Sequence, residues 1–388
     1  MGLASKMALA YAVNQGASVA SQYVANKPSP YPQGGAPPQQ AGQAAGYYQQ
    51  GAPPPQQHAQ GGYQQQGYSP GYVQQPQQQQ QHAYGAPAPL PLPGSASGPG
   101  SSSAMTNPQM ILDVLRRGVQ DQNFQAFYPP GSLEQLAQQI AHSGALARIA
   151  AEWRLPAEIA MDLARLALVD VQCMLDNSGS LAFEENGERI DDAKMIMSRV
   201  AQAAGLFDSD GMQICVMNGN TVGQGIKNEA QAAQLMSTVT FSGLTPLGTS
   251  FEQKVLHPLV AAARSNTLRK PVLAIVVTDG EPAGEHRYKI VQAITDAKRA
   301  LTSTRYGADA LSIELAQVGS DQKAAAFLNE IDVHPEIGSF VDVTGNFEME
   351  SAQMQQTTGI ALSPDLWVIK LMLGALDTAY DSHDERRH

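Results

Sequence analysis

Residues 169–180 read Val-Asp-Val-Gln-Cys-Met-Leu-Asp-Asn-Ser-Gly-Ser. The first seven form a short run rich in β-branched and apolar side chains. The last five form a loop that begins on a carboxylate. An apolar run closed by Asn, Ser and Gly reads as a strand ending in a loop. Runs of the same kind recur at Met212–Met217, Val272–Thr278, Leu311–Val318 and Ser339–Val343. Between them lie helical patterns near 188–204, 228–237, 249–265, 287–303 and 322–331, with a last one near 364–379. Strands apolar on both faces that alternate with helices predict an α/β fold, a doubly wound and mostly parallel sheet with helices on both faces. Pro258 falls inside one of those helices and predicts a kink, because proline removes a backbone donor.

Upstream of this core, residues 105–167 read as a helical segment. Ile111, Val114, Leu115 and Val119 share one face at helical spacing. Pro129-Pro130-Gly131-Ser132 stops that helix, and Ser132 with Glu134 and Gln135 marks the next start. Helices near 133–142, 145–153 and 157–167 follow, Pro156 opening the third and Trp153 belonging to the core.

The first 104 residues differ in kind. They hold no Asp, Glu or Arg, and Lys6 and Lys27 are their only formal charges. Residues 27–104 are a Gln/Pro/Gly/Tyr-rich tract, with stretches such as YPQGGAPPQQ and QQPQQQQQ, and nine of the thirteen tyrosines lie between Tyr11 and Tyr84. No apolar face recurs in the tract, so it lacks the buried surface that would offset an ordering cost of ~1–2 kcal/mol per residue. It is expected to be a disordered tail, either an inert tether or a self-associating segment. Residues 1–26 read as a short helix candidate. The Met7–Val13 run sits at the bottom of the range for a signal peptide, and Lys6 stands where a myristoylation motif wants Ser or Thr. The resulting division is 1–26, 27–104, 105–167, 168–346 for the α/β domain, and 347–388 for a C-terminal helical segment.

Net charge is −11, so residues 105–388, with 22 Lys and Arg against 35 Asp and Glu, carry −13. Such a balance argues against a nucleic-acid or anionic-membrane surface, since phosphates would be repelled. No run approaches the ~20 apolar residues of a membrane-spanning helix. Cys173 and Cys215 both fall in strand-like runs and read as free thiols in a reducing compartment. With no convincing targeting signal, the cytoplasm is the default location.

In a doubly wound fold, ligands gather at the carboxyl ends of the strands, where strand order reverses. The loop Asp176-Asn177-Ser178-Gly179-Ser180 leaves the first strand at that end. It offers one carboxylate and two hydroxyls, hard oxygen donors suited to Mg²⁺, Mn²⁺ or Ca²⁺ and ill suited to zinc or copper. Phe241 to Thr249 is a second turn-rich loop, and Thr278-Asp279-Gly280-Glu281 places another carboxylate just past a strand.

Together these segments resemble the DxSxS, threonine-bearing and TDG elements of von Willebrand factor type A domains, over about Val169 to Asn346. The resemblance implies a complete metal-ion-dependent adhesion site whose metal-coordinating set is Asp176, Ser178, Ser180, Thr245 and Asp279. Thr245 rather than Thr249 fills the threonine position because it precedes Pro246. The helical lead-in LARIAAEWRLPAEIAMDLARLAL, AQVGSDQKAAAFLNEID and PDLWVIKLMLGALDTAYD are similar to intracellular members of the fungal kind. The function so implied is divalent-cation-dependent protein binding inside the cell, a partner's acidic side chain completing the metal's shell. Glu281 is a candidate for reaching the metal through water. Glu184, Glu185, Glu188, Asp191 and Asp192 read either as a second cation site or as acids favouring a helix N-terminus.

The rival reading is an assembly scaffold driven by the low-complexity tail, with a structural or silent metal site. Catalysis finds no support. A phosphoryl-accepting Asp176 would need a second Asp where Ser178 stands, and the chain has no GxxxxGK[ST] segment, no GxGxxG after a strand and no GxSxG elbow. The histidines show no zinc spacing.

Overall fold

The computed structural model describes residues 103–380, together with Lys6. The N-terminal helix candidate apart from Lys6, the low-complexity tract and residues 381–388 lie outside the described residues.

Six strands form a single sheet: β1 (Asp170–Leu175), β2 (Met212–Val216), β3 (Val222–Ile226), β4 (Val272–Thr278), β5 (Leu311–Gln317) and β6 (Val341–Thr344). Their spatial order is β3-β2-β1-β4-β5-β6. All neighbours are parallel except β2 and β3, which run antiparallel. Order therefore reverses between β1 and β4, and the two loops leaving those strands open a crevice there.

Before the sheet come α1 (Pro108–Asp121), α2 (Ser132–Ser143), α3 (Ala145–Glu152) and α4 (Ala157–Asp162). Within it run α5 (Gly179–Phe183), α6 (Glu188–Phe207), α7 (Glu229–Met236), α8 (Leu247–Phe251), α9 (His257–Arg264), α10 (Lys289–Thr302) and α11 (Gln322–Asp332). The described chain closes with α12 (Phe347–Thr358) and α13 (Pro364–Leu373).

β4 shows why helices cover both faces. All seven of its residues are buried. Leu273, Ile275 and Val277 join a core with α1 to α4, α6 and α13, while Val272, Ala274 and Val276 join a second core with α8 to α11. Alternate side chains of a strand point to opposite faces, so a strand apolar throughout needs a partner layer on each side.

The leading helices share the first of these cores with the sheet. Trp153, buried as expected, reaches across to α6 and donates from Nε1 to Gln202 Oε1 at 2.8 Å. Asp162 of α4 accepts from Tyr380 Oη at 2.6 Å and meets Lys6 Nζ at 2.5 Å.

Local departures from the sequence reading have identifiable causes. β3, which was not expected, is an edge strand carrying Gly223 and Gly225. A Cβ at Gly223 would stand 2.6 Å from the Leu235 side chain of α7. Ser132, read as the start of the next helix, is the first residue of α2, with Gly131 at φ 88° before it. Pro258 produces a π turn over Glu252–Leu256 in place of a plain kink. The His257 N–H reaches back to Glu252 O, and α9 then starts with the proline in its first turn, where no donor is needed.

Cys173 pairs in register with Ile214, and Cys215 with Met174. The two thiols thus sit on opposite faces of adjacent strands, and both are free. Burial pushes the Cys215 thiol up to about 11. No described helix is long and apolar enough to cross a membrane.

Candidate metal centre

β1 ends at Leu175 and delivers Asp176 to the crevice. Its backbone stays in the ladder, because Asp176 N donates to Val277 O at 2.8 Å. The side chain is fully buried. Its Oδ1 accepts the Ser178 N–H at 2.9 Å, and its Oδ2 accepts the Thr278 hydroxyl from the end of β4 at 2.6 Å. Burial pushes this carboxyl up to about 6; the Thr278 bond pulls it down and the nearby Asp279 charge raises it further.

Asp279 follows β4 and is also buried. Its Oδ1 accepts from Ser180 Oγ at 3.0 Å, and Ser180 Oγ lies 2.9 Å from Ser178 Oγ. Three of the predicted side chains therefore form a continuous chain of oxygens. Burial raises the Asp279 carboxyl above the ordinary carboxylate range, opposed by hydrogen bonds from Arg189 and Ser180.

Thr245 is buried on the facing loop, which is stitched to its neighbours through backbone bonds. Ser242 N donates to Asn177 O at 2.8 Å, and Gly179 N to Gly243 O at 3.1 Å. From the third loop, Ala283 N donates to Thr245 O at 2.9 Å. The segments carrying Asp176, Thr245 and Asp279 are thus joined pairwise. Glu281 pairs instead with Arg287, which also meets Glu330 at 3.0 Å.

Several supporting residues were not singled out from sequence. Asn177 turns its amide to the neighbouring loops, donating to Asn218 O at 3.0 Å and Thr240 O at 2.8 Å and accepting from Asn218 N at 2.7 Å. Glu285 caps α8 with both carboxylate oxygens, on Gly248 N at 2.6 Å and Thr249 N at 2.9 Å. Arg189 of α6 donates from Nη1 to Asp279 Oδ2 at 2.7 Å. The acidic run around it is divided in role. Glu184 and Glu185 pair with Arg189 at 2.7 and 3.0 Å, and Asp192 is pushed up to about 6 by burial and by the charges of Glu348, Glu188, Glu185 and Asp191. One signal in the sequence pointed to part of this frame: Thr278, directly before Asp279, is the strand-end hydroxyl that meets Asp176.

The donor set fits a hard divalent cation. An octahedral ion with bonds of ~2.0–2.1 Å holds adjacent ligand oxygens about 3.0 Å apart. The Ser178–Ser180 and Ser180–Asp279 hydrogen bonds of 2.9 and 3.0 Å keep these oxygens at separations compatible with that edge length. The carboxylates supply negative charge, and nothing in the set is soft. Among the described residues no cluster of three or more His, Cys, Asp or Glu side chains has metal-binding geometry, so any ion held here depends on hydroxyls as well as carboxylates.

Fold and site together define a doubly wound α/β protein whose switch-point crevice is lined by carboxylates and hydroxyls. No family model and no curated protein matches the chain. Among solved structures, it is similar to the manganese-loaded TRAP protein of Plasmodium vivax, at 14% identity over 52% of this chain and 74% of that one, with a TM-score of 0.32. It is also similar to proximal thread matrix protein 1 from the mussel byssus, at 16% identity, covering 49% of this chain and 47% of that one, TM-score 0.31. A third is a von Willebrand factor type A protein from Catenulispora acidiphila, at 15% identity, 54% and 43% coverage, TM-score 0.30. The chain spans less than half the length of the latter two.

Proposed function

We propose that the chain is a non-catalytic binding protein of the cell interior. In this reading Asp176, Ser178, Ser180, Thr245 and Asp279 hold one divalent cation, with Mg²⁺ the first candidate and Mn²⁺ or Ca²⁺ the alternatives. The loaded site then holds an acidic side chain of a protein partner. The observation that carries the reading is the unbroken run of oxygens from Ser178 through Ser180 to Asp279 at cation-ligand spacing, beside the buried carboxylate of Asp176. A bound divalent cation supplies a positive centre able to accept one more oxygen ligand, because Mg²⁺ ordinarily keeps positions that protein side chains do not fill. The protein's own part is to keep the oxygens assembled and the carboxylates out of water.

The test is the unfolding temperature of the full chain in chelator and with each cation, beside Asp176→Ala. A cation at 100 times its Kd adds about 2.7 kcal/mol, which for a protein of this size is a rise of roughly 5 °C. The rise should vanish in Asp176→Ala. No rise with any of the three cations would sink the reading and leave the tail-driven scaffold ahead.

A further inference from the structure

Arg189 is the least expected member of the site. Only 4% of its side chain is exposed. Nη1 donates to Asp279 Oδ2 at 2.7 Å, and Nη2 meets Glu184 Oε2 at 2.7 Å and Glu185 Oε1 at 3.0 Å. Glu185 is itself anchored, accepting from both the backbone N–H and the hydroxyl of Ser320, at 2.9 and 2.7 Å. The slot is completed by Gly319, at φ 74°, where a Cβ would stand 2.4 Å from Arg189 Nε. Its carbonyl is held in turn by Asn346 Nδ2 at 2.6 Å. Parts of four segments thus converge on one guanidinium, and its planar fork suits two carboxylates at once.

That arrangement changes the charge of the site. Asp279 and Arg189 are both removed from water and compensate each other at close range. Glu184 and Glu185 meet the other nitrogen and reach solvent, at 52% and 26% exposure, where their charges are screened. Asp176 is then the one buried carboxylate of the set without a cationic partner.

We propose that Arg189 sets the affinity and net charge of the site by remaining on Asp279 whether or not a divalent cation is present. The inference rests on the cation-binding reading above and extends it. With Asp279 already compensated, a divalent ion faces one free negative charge rather than two. Binding is thereby weakened, and the loaded site keeps a surplus positive charge for a partner's carboxylate. Arg189 is a positioning residue here: it touches Asp279 and never the ion.

The experiment is Mn²⁺ binding to the full-length protein, followed by the loss of the free-ion electron paramagnetic resonance signal, for native protein, Arg189→Gln and Arg189→Lys. Charge count tunes the affinity of oxygen-ligand sites, so Arg189→Gln, which keeps a donor and removes the charge, should bind at least about tenfold more tightly. Arg189→Lys should stay within about threefold of native. A purely bracing role predicts the opposite sign for Arg189→Gln, a loss of affinity. If native protein binds and Arg189→Gln binds equally or more weakly, this inference falls and the cation-binding reading stands. If neither binds Mn²⁺, both fall. Because Arg189→Gln leaves Asp279 buried without its cation, unfolding temperatures are read in chelator beside the Arg189→Gln/Asp279→Asn double variant. Removing the stranded charge should recover most of the lost degrees. A double variant no better than the single one would overturn the pairing on which the proposal depends.

Discussion

Asn177 offers the sharpest test of how the crevice is held together, because it sits between two predicted metal-site residues yet faces away from them. Its side chain is buried and makes three hydrogen bonds, two donated to Asn218 O and Thr240 O and one accepted from Asn218 N. Asn177→Ala removes all three. A neutral hydrogen bond contributes about 1 kcal/mol net, and a partner left buried and unmatched adds up to ~1–3 kcal/mol more. Thr240 is exposed and Asn218 half-buried, so water can reach the freed backbone groups and the second contribution is small. The expected cost is therefore about 3 kcal/mol, a fall of roughly 6 °C in unfolding temperature at ~2 °C per kcal/mol for a protein of this size.

Asn177→Asp sharpens the point. It keeps the acceptor for Asn218 N, loses both donors and places a new charge beside buried Asp176, so it should be less stable than the alanine variant at neutral pH. Urea unfolding of the full chain, followed by tryptophan fluorescence, gives both numbers. Cation affinity should fall in the alanine variant as well, although Asn177 is no ligand, since the loops bearing Asp176 and Thr245 lose part of their common brace. A loss under about 1 kcal/mol, or an aspartate variant as stable as native protein, would refute the reasoning that this amide holds the loops in place.

Two further outcomes follow from the same structure. Glu285→Ala removes the double cap on α8, so a loss of about 1–2 kcal/mol is expected; a urea midpoint within error of native would show that the cap is idle. Glu314, buried on β5 opposite Asp342 of β6 with Thr344, Lys370 and Glu350 around it, is held well above the ordinary carboxyl range by burial first and then by Asp342. Its folded form keeps a proton that the unfolded chain gives up near ~4.3, so stability falls as pH rises from there through the raised value. Glu314→Gln should flatten that slope above about pH 4.3, and parallel slopes for the two proteins would count against it.

Much of the framework was legible because it depends on patterns that local sequence carries. β4 is an almost unbroken apolar run and β1 and β5 are rich in apolar side chains, the composition that strands covered on both faces favour. The loop after β1 announced itself through a carboxylate followed by hydroxyls at every second position. What escaped notice depends on partners distant in sequence. β3 has two glycines in five residues and reads as a loop until α7 is there to fill the space over Gly223. Arg189 looks like any helical surface arginine, since its meaning lies in Asp279, 90 residues away, and in the bare Cα of Gly319. The glutamate run before it was read as a cation site or as helix-dipole acids. In the structure Glu184 and Glu185 are anions for Arg189 instead. Glu281, two residues past Asp279, is a candidate for the metal by position or else a turn residue, and Arg287, six residues on, claims it.

Structural need alone does not account for the carboxylates at the crevice. Asp176 accepts one bond from a backbone N–H and one from the Thr278 hydroxyl. An asparagine there would accept the Ser178 bond equally well without the desolvation that lifts the aspartate to about 6. Asp279 likewise stays in place only because a guanidinium is buried with it, and a buried ion pair is weak evidence for stability, since an apolar pair of similar volume often serves as well. The backbone around both is set firmly by continuous ladders: Asp176 N to Val277 O, Met217 N to Leu175 O at 2.8 Å, and Val318 N to Thr278 O at 3.0 Å. A rigid frame that keeps the buried Asp176 carboxylate without a cationic partner, beside the hydrogen-bonded hydroxyls of Ser178 and Ser180, has an electrostatic deficit that a cation at this place would relieve. Charges kept at a cost to the fold, at the switch point where such folds gather ligands, are what the proposed cation site requires.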